Sequence, residues 1–406
     1  MATAGVEAVR GRLARVARAG LDPAAFAHES LCVLRLAVPF DAACHGSLDP
    51  GTGLITGSTK VALTSDHDGE FLAHEYVTDE VNLFVDLARR SRPVGVLADD
   101  TGGDPHRSTR YRDLLTARYG LEHELRAALV VAGAAWATLA LYRQGPPGFS
   151  AREADLVAGV APVLALGARA AVAAGAARHL RGHGPAAMAT GGGHPGEGGA
   201  PGVLVVDHAG RVVQSTTTAE RLVAELGGSV RGELPVAVAA TIAAARAPAR
   251  AAAHAPASAR APAPTAARDG GLLQPRARVR TRTGRWLVVH GAALADHDGT
   301  GRQVVVTIAP AGPPEVVPVV VAALGLSPRE RDVVAGVLRG ASTAEMAAAL
   351  HLSPYTVQDH LKSVFDKAGV SSRRELVAKV FYDQYAPRLG GPLSPSGWFA
   401  DTAGPR

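Results

Sequence analysis

The pattern of apolar and polar positions divides the chain into three structured regions. Residues 20–178 combine helix-like segments with short extended runs and end in a long apolar helix. Residues 201–312 alternate short apolar runs with turn-forming residues. Residues 320–386 have apolar positions at helical spacing. The pattern therefore predicts a multidomain fold, with two α+β domains followed by an all-α domain of four helices.

Several elements of the first region follow from the spacing of its apolar residues. Extended runs at Asp41–Ser47 and Leu54–Thr56 predict two strands joined by a stretch rich in turn-forming residues. Apolar residues three and four positions apart predict one continuous helix over His74–Arg90. Ala127–Arg143 has the pattern of two buried strands joined by a turn at Gly133 and Ala134. A closing apolar helix is expected from Arg152 to about Ala174.

Three stretches contain too few large apolar residues to form a core. Residues 179–200 are rich in Gly, Ala and His, which predicts a flexible linker. Residues 247–268 consist mainly of Ala and Pro and predict a disordered insert within the second domain. Residues 387–406 are predicted to form a disordered tail. On either side of the insert, short apolar strands are expected at Val203–Val206 and Val304–Ile308.

The C-terminal region carries the most specific helix signals. Four serines precede its four apolar stripes, and each can cap a helix by accepting a hydrogen bond from a free backbone N–H. Three of them are followed three residues later by glutamate, which completes a capping box. Gly340 and Gly369 lie where two of the helices should end. The four serines are Ser327, Ser342, Ser353 and Ser372.

The second and third of these helices are joined by only three residues, His351–Ser353. Such a short turn forces a sharp corner, the arrangement in which the second helix of the pair enters a DNA major groove. A rotation of about 100° per residue sets which side chains of the third helix lie away from its apolar stripe. We expect these side chains to face DNA. They are Tyr355, Asp359, Lys362 and Ser363, with Gln358 and His360 on the flanks.

Side chains on the third helix and at the start of the fourth have the chemistry that DNA contacts require. Gln358 can pair with adenine, Lys362 can donate to guanine, and Asp359 can accept from the N4 amino group of cytosine. Serine, threonine, arginine and helix N-termini can donate to phosphate. The predicted DNA-binding residues are Ser353, Thr356, Gln358, Asp359, His360, Lys362, Arg373 and Arg374.

Fixed motifs occur in order through this region. They are Leu326–Arg331, Glu345–Ala347, Leu352–Lys362 and Gly369–Arg373. With these motifs, residues 324–384 resemble the LuxR-type helix-turn-helix family. The resemblance implies a third helix that reads the major groove. It implies base contacts near Gln358, Asp359 and Lys362, and phosphate contacts near Thr356, His360 and Arg373.

Two positions depart from the family pattern. Gln358 stands where the family usually has a basic residue, and the acidic Asp359 follows it. Between Leu324 and Asp383 there are eight basic and seven acidic residues. We therefore expect modest nonspecific affinity for DNA and a dependence on paired subunits or specific contacts.

The two upstream regions resemble sensory domains in the order of their elements and the placement of their turns. The first resembles a GAF domain, with a turn at Leu48–Gly53 between two strands and paired strands that end at Leu139–Arg143. The second resembles a PAS domain, with a strand at Gly202–Asp207 and a hairpin around Gly284–Trp286. The resemblance implies that these regions sense a signal or mediate dimerisation, and a small molecule is a candidate ligand of the GAF-like domain.

Cysteine and histidine usage predicts no disulfide, metal site or bound cofactor. The chain has two cysteines, neither in a CxxC pair, and Cys32 lies among apolar residues, where we expect a packed thiol. Cys44 and His45 are adjacent in a predicted strand, so they should point to opposite faces and not share a metal. Trp136 and Trp286 are expected to anchor cores.

Motifs of several competing protein classes are absent from the sequence. It contains no GxxxxGK[ST] phosphate loop and, in a strand-to-helix setting, no GxSxG elbow or Rossmann fingerprint. The acidic pair Asp99–Asp100 comes too late for a phosphoryl-receiver site and is followed by a loop. The longest apolar run, Ala127–Tyr142, is shorter than a membrane-spanning helix. We therefore expect a soluble, cytoplasmic protein that is not an enzyme.

Together these features predict a sequence-specific DNA-binding transcription regulator. The excess of arginine over lysine and the abundance of alanine and glycine are typical of a bacterial source with GC-rich DNA. The predicted partners are double-stranded DNA, a second copy of the chain and RNA polymerase. The alternative is a sensory scaffold that acts through protein contacts and keeps a vestigial DNA-binding module.

Overall fold

The computed structural model describes residues 2–182, 200–247, 275–294 and 303–382. Within these ranges the chain forms two antiparallel five-stranded sheets with helices, followed by a helical C-terminal unit. Residues 183–199 of the predicted linker (179–200), residues 248–268 of the predicted insert (247–268) and the whole predicted tail (387–406) lie outside the described residues.

The first sheet has the strand order β2-β1-β5-β4-β3. Its strands are β1 at Ala42–Leu48, β2 at Ile55–Val61, β3 at Val94–Val96, β4 at His123–Val131 and β5 at Ala134–Arg143. The helices of this unit are α1 at Ala2–Arg18, α2 at Pro23–Arg35, α3 at Asp68–Tyr76, α4 at Phe84–Leu87, α5 at Leu97–Thr101, α6 at Thr116–Tyr119 and α7 at Ala151–Gly182. A 3₁₀ turn at Pro105–Arg107 and a π-helical turn at Tyr111–Leu115 precede α6.

The paired strands predicted at Ala127–Arg143 are confirmed as β4 and β5. Their two-residue turn consists of Ala132 and Gly133, one position earlier than expected. Both residues have positive φ, 53° and 78°, which matches the right-handed twist of the flanking strands. Trp136 on β5 is 3% exposed, so its predicted role as a core anchor is confirmed.

The continuous helix predicted over His74–Arg90 is wrong, because the chain leaves the helix after α3 and forms only one further turn in α4. Between them it bends around the buried side chain of Arg126. This guanidinium donates to the Glu75 carboxylate at 2.7 Å and to the carbonyl oxygen of Asn82 at 2.9 Å. Asn82 has φ 57°. A buried charge needs such partners, and a straight helix would carry the Asn82 carbonyl away from Arg126.

Helix α7 closes the first unit and packs against α1 and β4. It continues to Gly182, so the first residues predicted as linker are helical. In the described ranges, Ala151–Ala174 is the one helix whose length and composition would let it cross a membrane. Of its most apolar 18-residue stretch, 44% is buried inside the protein. A core helix of a soluble protein meets the same criterion.

The second sheet repeats the topology of the first, with the order β7-β6-β10-β9-β8. Its strands are β6 at Gly202–Val206, β7 at Val212–Ser215, β8 at Arg276–Arg280, β9 at Trp286–Ala293 and β10 at Val304–Pro310, with helices α8 at Thr217–Glu225 and α9 at Val236–Arg246. Val238 and Ile242 of α9 belong to the core of this sheet. Ala240 and Ala243 of the same helix are buried against the first unit. The two sheet units therefore share an apolar contact through α9.

A buried ion pair also joins the two sheet units. Asp49 follows β1 and accepts hydrogen bonds from the backbone N–H and Nε of Arg278 on β8, both at 2.8 Å, and from its Nη2. The remaining Nη1 donates to the carbonyl oxygen of Glu315 at 3.1 Å. Gly51 permits this approach, because a Cβ there would lie 2.5 Å from Nη2 of Arg278.

A helix that the sequence pattern did not indicate, α10 at Pro313–Ala323, leads from the second sheet to the C-terminal unit. One side of it, including Val316, packs against Trp286 of β9 and Val172 of α7. Another side, including Val317, packs against the core of the C-terminal unit. Helix α10 therefore contacts both sheet units and the C-terminal unit at once.

The C-terminal unit has the four helices that the sequence predicts. They are α11 at Pro328–Leu338, α12 at Thr343–Leu350, α13 at Pro354–Ala368 and α14 at Arg373–Val377, which continues in a π-helical turn at Ala378–Tyr382. The predicted apolar stripes meet in one core, whose most buried members include Val333, Val357, Val364 and Leu376. Local sequence signals thus account for this unit.

Candidate nucleic-acid interface

A three-residue corner separates α12 from α13, as predicted. Helix α12 ends at Leu350, and the next residue, His351, adopts the left-handed conformation with φ 54° and ψ 46°. The backbone N–H of Leu352 then donates to the carbonyl of Ala347 at 2.9 Å, which satisfies a carbonyl that the helix end would leave free. Ser353 immediately caps α13. The chain therefore passes from one helix to the next within three residues.

Serine caps fix the starts of α11, α12 and α13, the first three helices of the C-terminal unit, and these predictions are confirmed. The Oγ atom of Ser353 accepts from the N–H of Thr356 at 3.0 Å. The capping box of Ser327 and Glu330 is complete, with distances of 3.3 and 2.6 Å. That of Ser342 and Glu345 is also complete, with distances of 3.2 and 2.7 Å.

The capping box of Ser372 and Glu375 predicted at the start of α14 forms only in part. Ser372 Oγ accepts from the N–H of Glu375 at 3.2 Å, as expected. The Glu375 carboxylate, however, accepts from the backbone N–H of Ser371 at 2.7 Å, not from that of Ser372. The backbone of Ser372 is more extended than at the other caps, with φ −149°, and this brings the preceding N–H within reach of the carboxylate.

Helix α13 buries one face in the C-terminal core and exposes the other. The exposed face begins at the capped N-terminus and carries most of the predicted DNA-binding residues. Ser353, Gln358, Asp359 and Lys362 are exposed, and Thr356 and His360 are half-buried. The structure therefore brings six of the predicted residues together on one helix next to the corner.

The two arginines predicted at the start of α14 differ in their surroundings. Arg374 is exposed. Arg373 is half-buried and donates to the carbonyl of Ala341 at 3.1 Å and to the hydroxyl of Thr343 at 2.7 Å. Arg373 thus ties α14 to the start of α12, a structural role that the sequence did not indicate.

The prediction that Ser363 lies on the exposed face of α13, opposite the apolar stripe, is wrong. Its hydroxyl donates to the carboxylate of Glu330 at 2.6 Å, because α11 lies against this side of α13. Lys367 donates to the same carboxylate at 2.7 and 2.6 Å. Burial alone would raise the pKa of Glu330, but the hydrogen bonds from Lys367, Ser363 and Ser327 outweigh it and lower the pKa to about 2. Glu330 therefore fixes the orientation of α13 against α11.

Tyr355, which the sequence placed on the outward face of the helix but not among the DNA-binding residues, lies in the same exposed surface. Its side chain is 74% exposed, more than any other large apolar or aromatic side chain in the described ranges. It lies one residue inside the helix from Pro354 and one turn before Asp359. Its position on the helical wheel was the available signal. We refer to the exposed side chains of Tyr355, Gln358, Asp359 and Lys362 as the recognition surface.

A small cavity in the first unit is a second candidate site. Its volume is about 50 Å³, and its lining is mainly apolar, with Phe71 and Tyr142 among the larger residues. Lys60 and Asp68 form an ion pair at its wall. Val236 of α9 closes one side, so the cavity touches both sheet units. This volume holds a few water molecules, and a larger ligand requires the cavity to open.

The cysteines and the neighbouring histidine show no ligand arrangement. Cys44 lines the cavity, whereas His45 packs on Phe26 with ring centroids 5.9 Å apart, which confirms that the two side chains point to opposite faces. Burial raises the pKa of the Cys44 thiol to about 11 and lowers that of His45 to about 4. Cys32 is exposed, so the packed thiol predicted there is wrong; the buried face of α2 runs through Leu31 and turns away from it. Among the described residues, no group of three or more His, Cys, Asp or Glu could hold a metal ion.

The corner, the caps and the exposed second helix define a helix-turn-helix unit, and comparison with known proteins gives its family. Residues 324–380 match the family described as "Bacterial regulatory proteins, luxR family". "Putative HTH-type transcriptional regulator Mb0914c" of Mycobacterium bovis and "Putative HTH-type transcriptional regulator Rv0890c" of Mycobacterium tuberculosis are each 45% identical over 67 residues. Residues 324–380 are a LuxR-type helix-turn-helix domain.

The likeness to these two regulators concerns a small part of each protein. The 67 matched residues make up 16% of this chain and 7% of the two relatives. A structure of the Vibrio cholerae VqmA dimer, described as a LuxR-type receptor, is 14% identical, with a TM-score of 0.19 and coverage of 44% of this chain and 81% of VqmA. A phage VqmA–DPO complex is 17% identical, with a TM-score of 0.21 and coverage of 50% and 87%. At these TM-scores the overall arrangements differ.

Proposed function

We propose that this protein is a DNA-binding transcription regulator that reads the major groove with α13. The observation that carries the proposal is the exposed recognition surface, which follows directly on a three-residue corner in a LuxR-type domain. In a helix-turn-helix, the N-terminal part of the second helix contacts base edges. The proposed base contacts are Gln358, Asp359 and Lys362.

The proposed phosphate contacts surround these base contacts. Ser353, Thr356 and the N-terminus of α13 lie at the corner. His360 is on the same helix, and Arg373 and Arg374 begin α14. Hydroxyl, guanidinium and backbone N–H groups are the donors that phosphate oxygens accept from. Arg373 can donate to phosphate only in addition to its bonds to Ala341 and Thr343 or in their place.

The charge of the C-terminal unit supports binding as a pair. Its basic and acidic residues nearly balance, so each copy gains little from nonspecific attraction to phosphate. One helix-turn-helix covers one half-site, and two copies bound to adjacent half-sites supply specific affinity. We therefore propose a homodimer on double-stranded DNA. We also propose that it acts in the cytoplasm and contacts RNA polymerase there.

The two sheet units are proposed to sense a signal, as GAF-like and PAS-like domains. The supporting observations are their common strand order and the cavity that both units line. A small molecule that opens this cavity would press on α9 through Val236. Displacement of α9 would reach the second core through Val238 and Ile242, and α10 then leads to the helix-turn-helix. We propose that such an input changes the spacing or orientation of paired C-terminal domains.

Gel shifts of the full chain with a library of genomic fragments, at two salt concentrations, test the proposal. A DNA-binding regulator retains a subset of fragments and keeps them at the higher salt, because base contacts survive when phosphate contacts weaken. The alternative, a sensory scaffold with a vestigial DNA-binding module, retains no fragment selectively. No selective retention at either salt concentration would reject the proposed function.

A further inference from the structure

The recognition surface has an acidic residue at its centre. Asp359 is exposed on α13, one turn after Tyr355 and three residues before Lys362. In the part of the chain that the structure describes, the Asp359 carboxylate makes no hydrogen bond and no ion pair. Its charge is therefore available to the partner that this surface contacts.

A carboxylate in the major groove meets repulsion from phosphates and from most base edges. Guanine presents the acceptors N7 and O6, and thymine presents the acceptor O4. Adenine has an amino donor, but the acceptor N7 lies beside it. Cytosine presents its N4 amino donor without an acceptor of its own in this groove. Because a carboxylate that loses water needs a donor in exchange, cytosine is the base that best compensates Asp359.

We propose that Asp359 selects a cytosine in each DNA half-site by accepting a hydrogen bond from the N4 amino group. This inference rests on the proposed function and specifies its sequence preference. The same carboxylate weakens binding wherever cytosine is missing, because repulsion from the phosphates is then uncompensated. Asp359 thus discriminates by rejecting other sequences as well as by binding the correct one.

The location of Asp359 in the helix supports a base contact over a backbone contact. It is the sixth residue after the Ser353 cap, on the exposed face of the N-terminal half of α13. Residues there reach base edges in helix-turn-helix complexes. A phosphate contact would require a donor, and an ionised carboxylate has none.

Selection of binding sites from randomised duplexes by the full chain provides the first test. The wild-type protein should recover one cytosine per half-site. Asp359→Ala should lose the preference at that position alone, and Asp359→Asn should move it toward adenine, which asparagine reads through N6 and N7. Replacing the C·G pair should weaken wild-type binding by about 5- to 150-fold and leave Asp359→Ala nearly unchanged.

Asp366→Asn is the matched control. Asp366 is also exposed on α13, two turns closer to its C-terminus, which is about 10 Å farther along the groove-facing helix. The substitution removes the same charge, so it should alter nonspecific affinity without changing the selected base. A loss of the cytosine preference in Asp366→Asn as well would show that net charge, not a base contact, is responsible, and would overturn the inference.

A change on the DNA side isolates the hydrogen bond without altering the protein. A pyrimidin-2-one nucleotide in place of the selected cytosine lacks the 4-amino group. It also loses that group's Watson–Crick hydrogen bond to guanine, a loss that the wild type and Asp359→Ala meet equally. Wild-type affinity should fall about as far as for the exchanged base pair, whereas Asp359→Ala should bind both duplexes equally. Equal wild-type affinity for both duplexes, or a wild-type motif retained by Asp359→Ala, overturns the inference while DNA binding stands. If the wild-type chain selects no sequence, the proposed function itself fails, and the inference with it.

Discussion

Asp49 and Arg278, separated by 229 positions in the chain, form an ion pair in which the carboxylate is fully buried and the guanidinium is 7% exposed. The same guanidinium donates to the carbonyl of Glu315 in α10. Arg278 therefore belongs to the second sheet unit and forms an ion pair with the first. It also donates a hydrogen bond to α10, the helix that leads to the helix-turn-helix domain. Any signal that displaces one sheet unit relative to the other must disturb this side chain.

Arg278→Ala should destabilise the contact between the two sheet units. It leaves the Asp49 carboxylate buried without its partner, and breaking a buried pair in this way typically costs about 3–5 kcal/mol. Denaturant unfolding gives the total loss, and hydrogen exchange should show early opening of β8 and α9. Arg92→Ala is the control, because the pair of Arg92 with Asp155 is about half to three-quarters exposed and should contribute under about 1 kcal/mol. Equal losses of unfolding free energy for both variants would contradict a stabilising role of the Asp49–Arg278 pair.

Glu330→Gln should lower the stability of the C-terminal domain in a pH-dependent way. The pKa of Glu330 is lowered to about 2 in the folded domain from 4.5. Its stabilisation is therefore present above about pH 5 and is lost as pH falls from there toward 2. The difference in unfolding free energy between wild type and variant should be on the order of 2–3 kcal/mol at pH 7 and shrink below pH 4.

Hydrogen exchange of α11 and α13 at several pH values measures this difference within the full chain. Glu345→Gln is a suitable control, because Glu345 completes a similar capping box but is exposed and has no lysine partner among the described residues. Its effect should be smaller than that of Glu330→Gln. A constant difference between wild type and Glu330→Gln down to pH 2 would show that the charge of Glu330 is not what stabilises the domain.

Lys362→Ala and Arg374→Ala should impair DNA binding in different ways. Lys362 is proposed to contact a base, so its loss should cost about 1–3 kcal/mol and relax the preference at one position. Arg374 is proposed to contact phosphate, so its loss should weaken binding to all sequences and reduce the salt slope by about one. Affinity measured at several salt concentrations on specific and random duplexes separates the two effects. An unchanged preference in Lys362→Ala would remove it from the base contacts.

Thiol labelling should distinguish the two cysteines. Cys32 is exposed, whereas Cys44 lines the small cavity of the first unit and its pKa is raised to about 11 by burial. Because the thiolate is the reactive form, a maleimide at neutral pH should modify Cys32 rapidly and Cys44 only when the first unit opens. Mass spectrometry of peptides from the wild type and from Cys32→Ser measures both rates. Rapid labelling of Cys44 in the folded chain would show that the cavity widens in solution enough to admit the maleimide.

The sequence predicted the C-terminal domain well because its signals are local. A capping serine acts on an N–H three residues away, and an apolar stripe repeats every three or four residues. The corner at His351–Ser353 follows from the short spacing between two such helices. The exposed positions of Gln358, Asp359 and Lys362 then follow from the helical repeat. Ser363 departs from this pattern because its partner, Glu330, lies 33 residues away on another helix.

Upstream, the sequence by itself determined the paired strands β4 and β5 and the separation of two α+β units, because strand alternation and turn residues are local as well. Only the tertiary structure decided the break between α3 and α4, where Arg126 needs Glu75, 51 residues away. It also decided the exposure of Cys32, the docking of α10 against Trp286 and the Asp49–Arg278 pair. A buried charge takes whichever opposite charge the folded chain brings within about 3 Å, and no local pattern records how far along the sequence that partner lies.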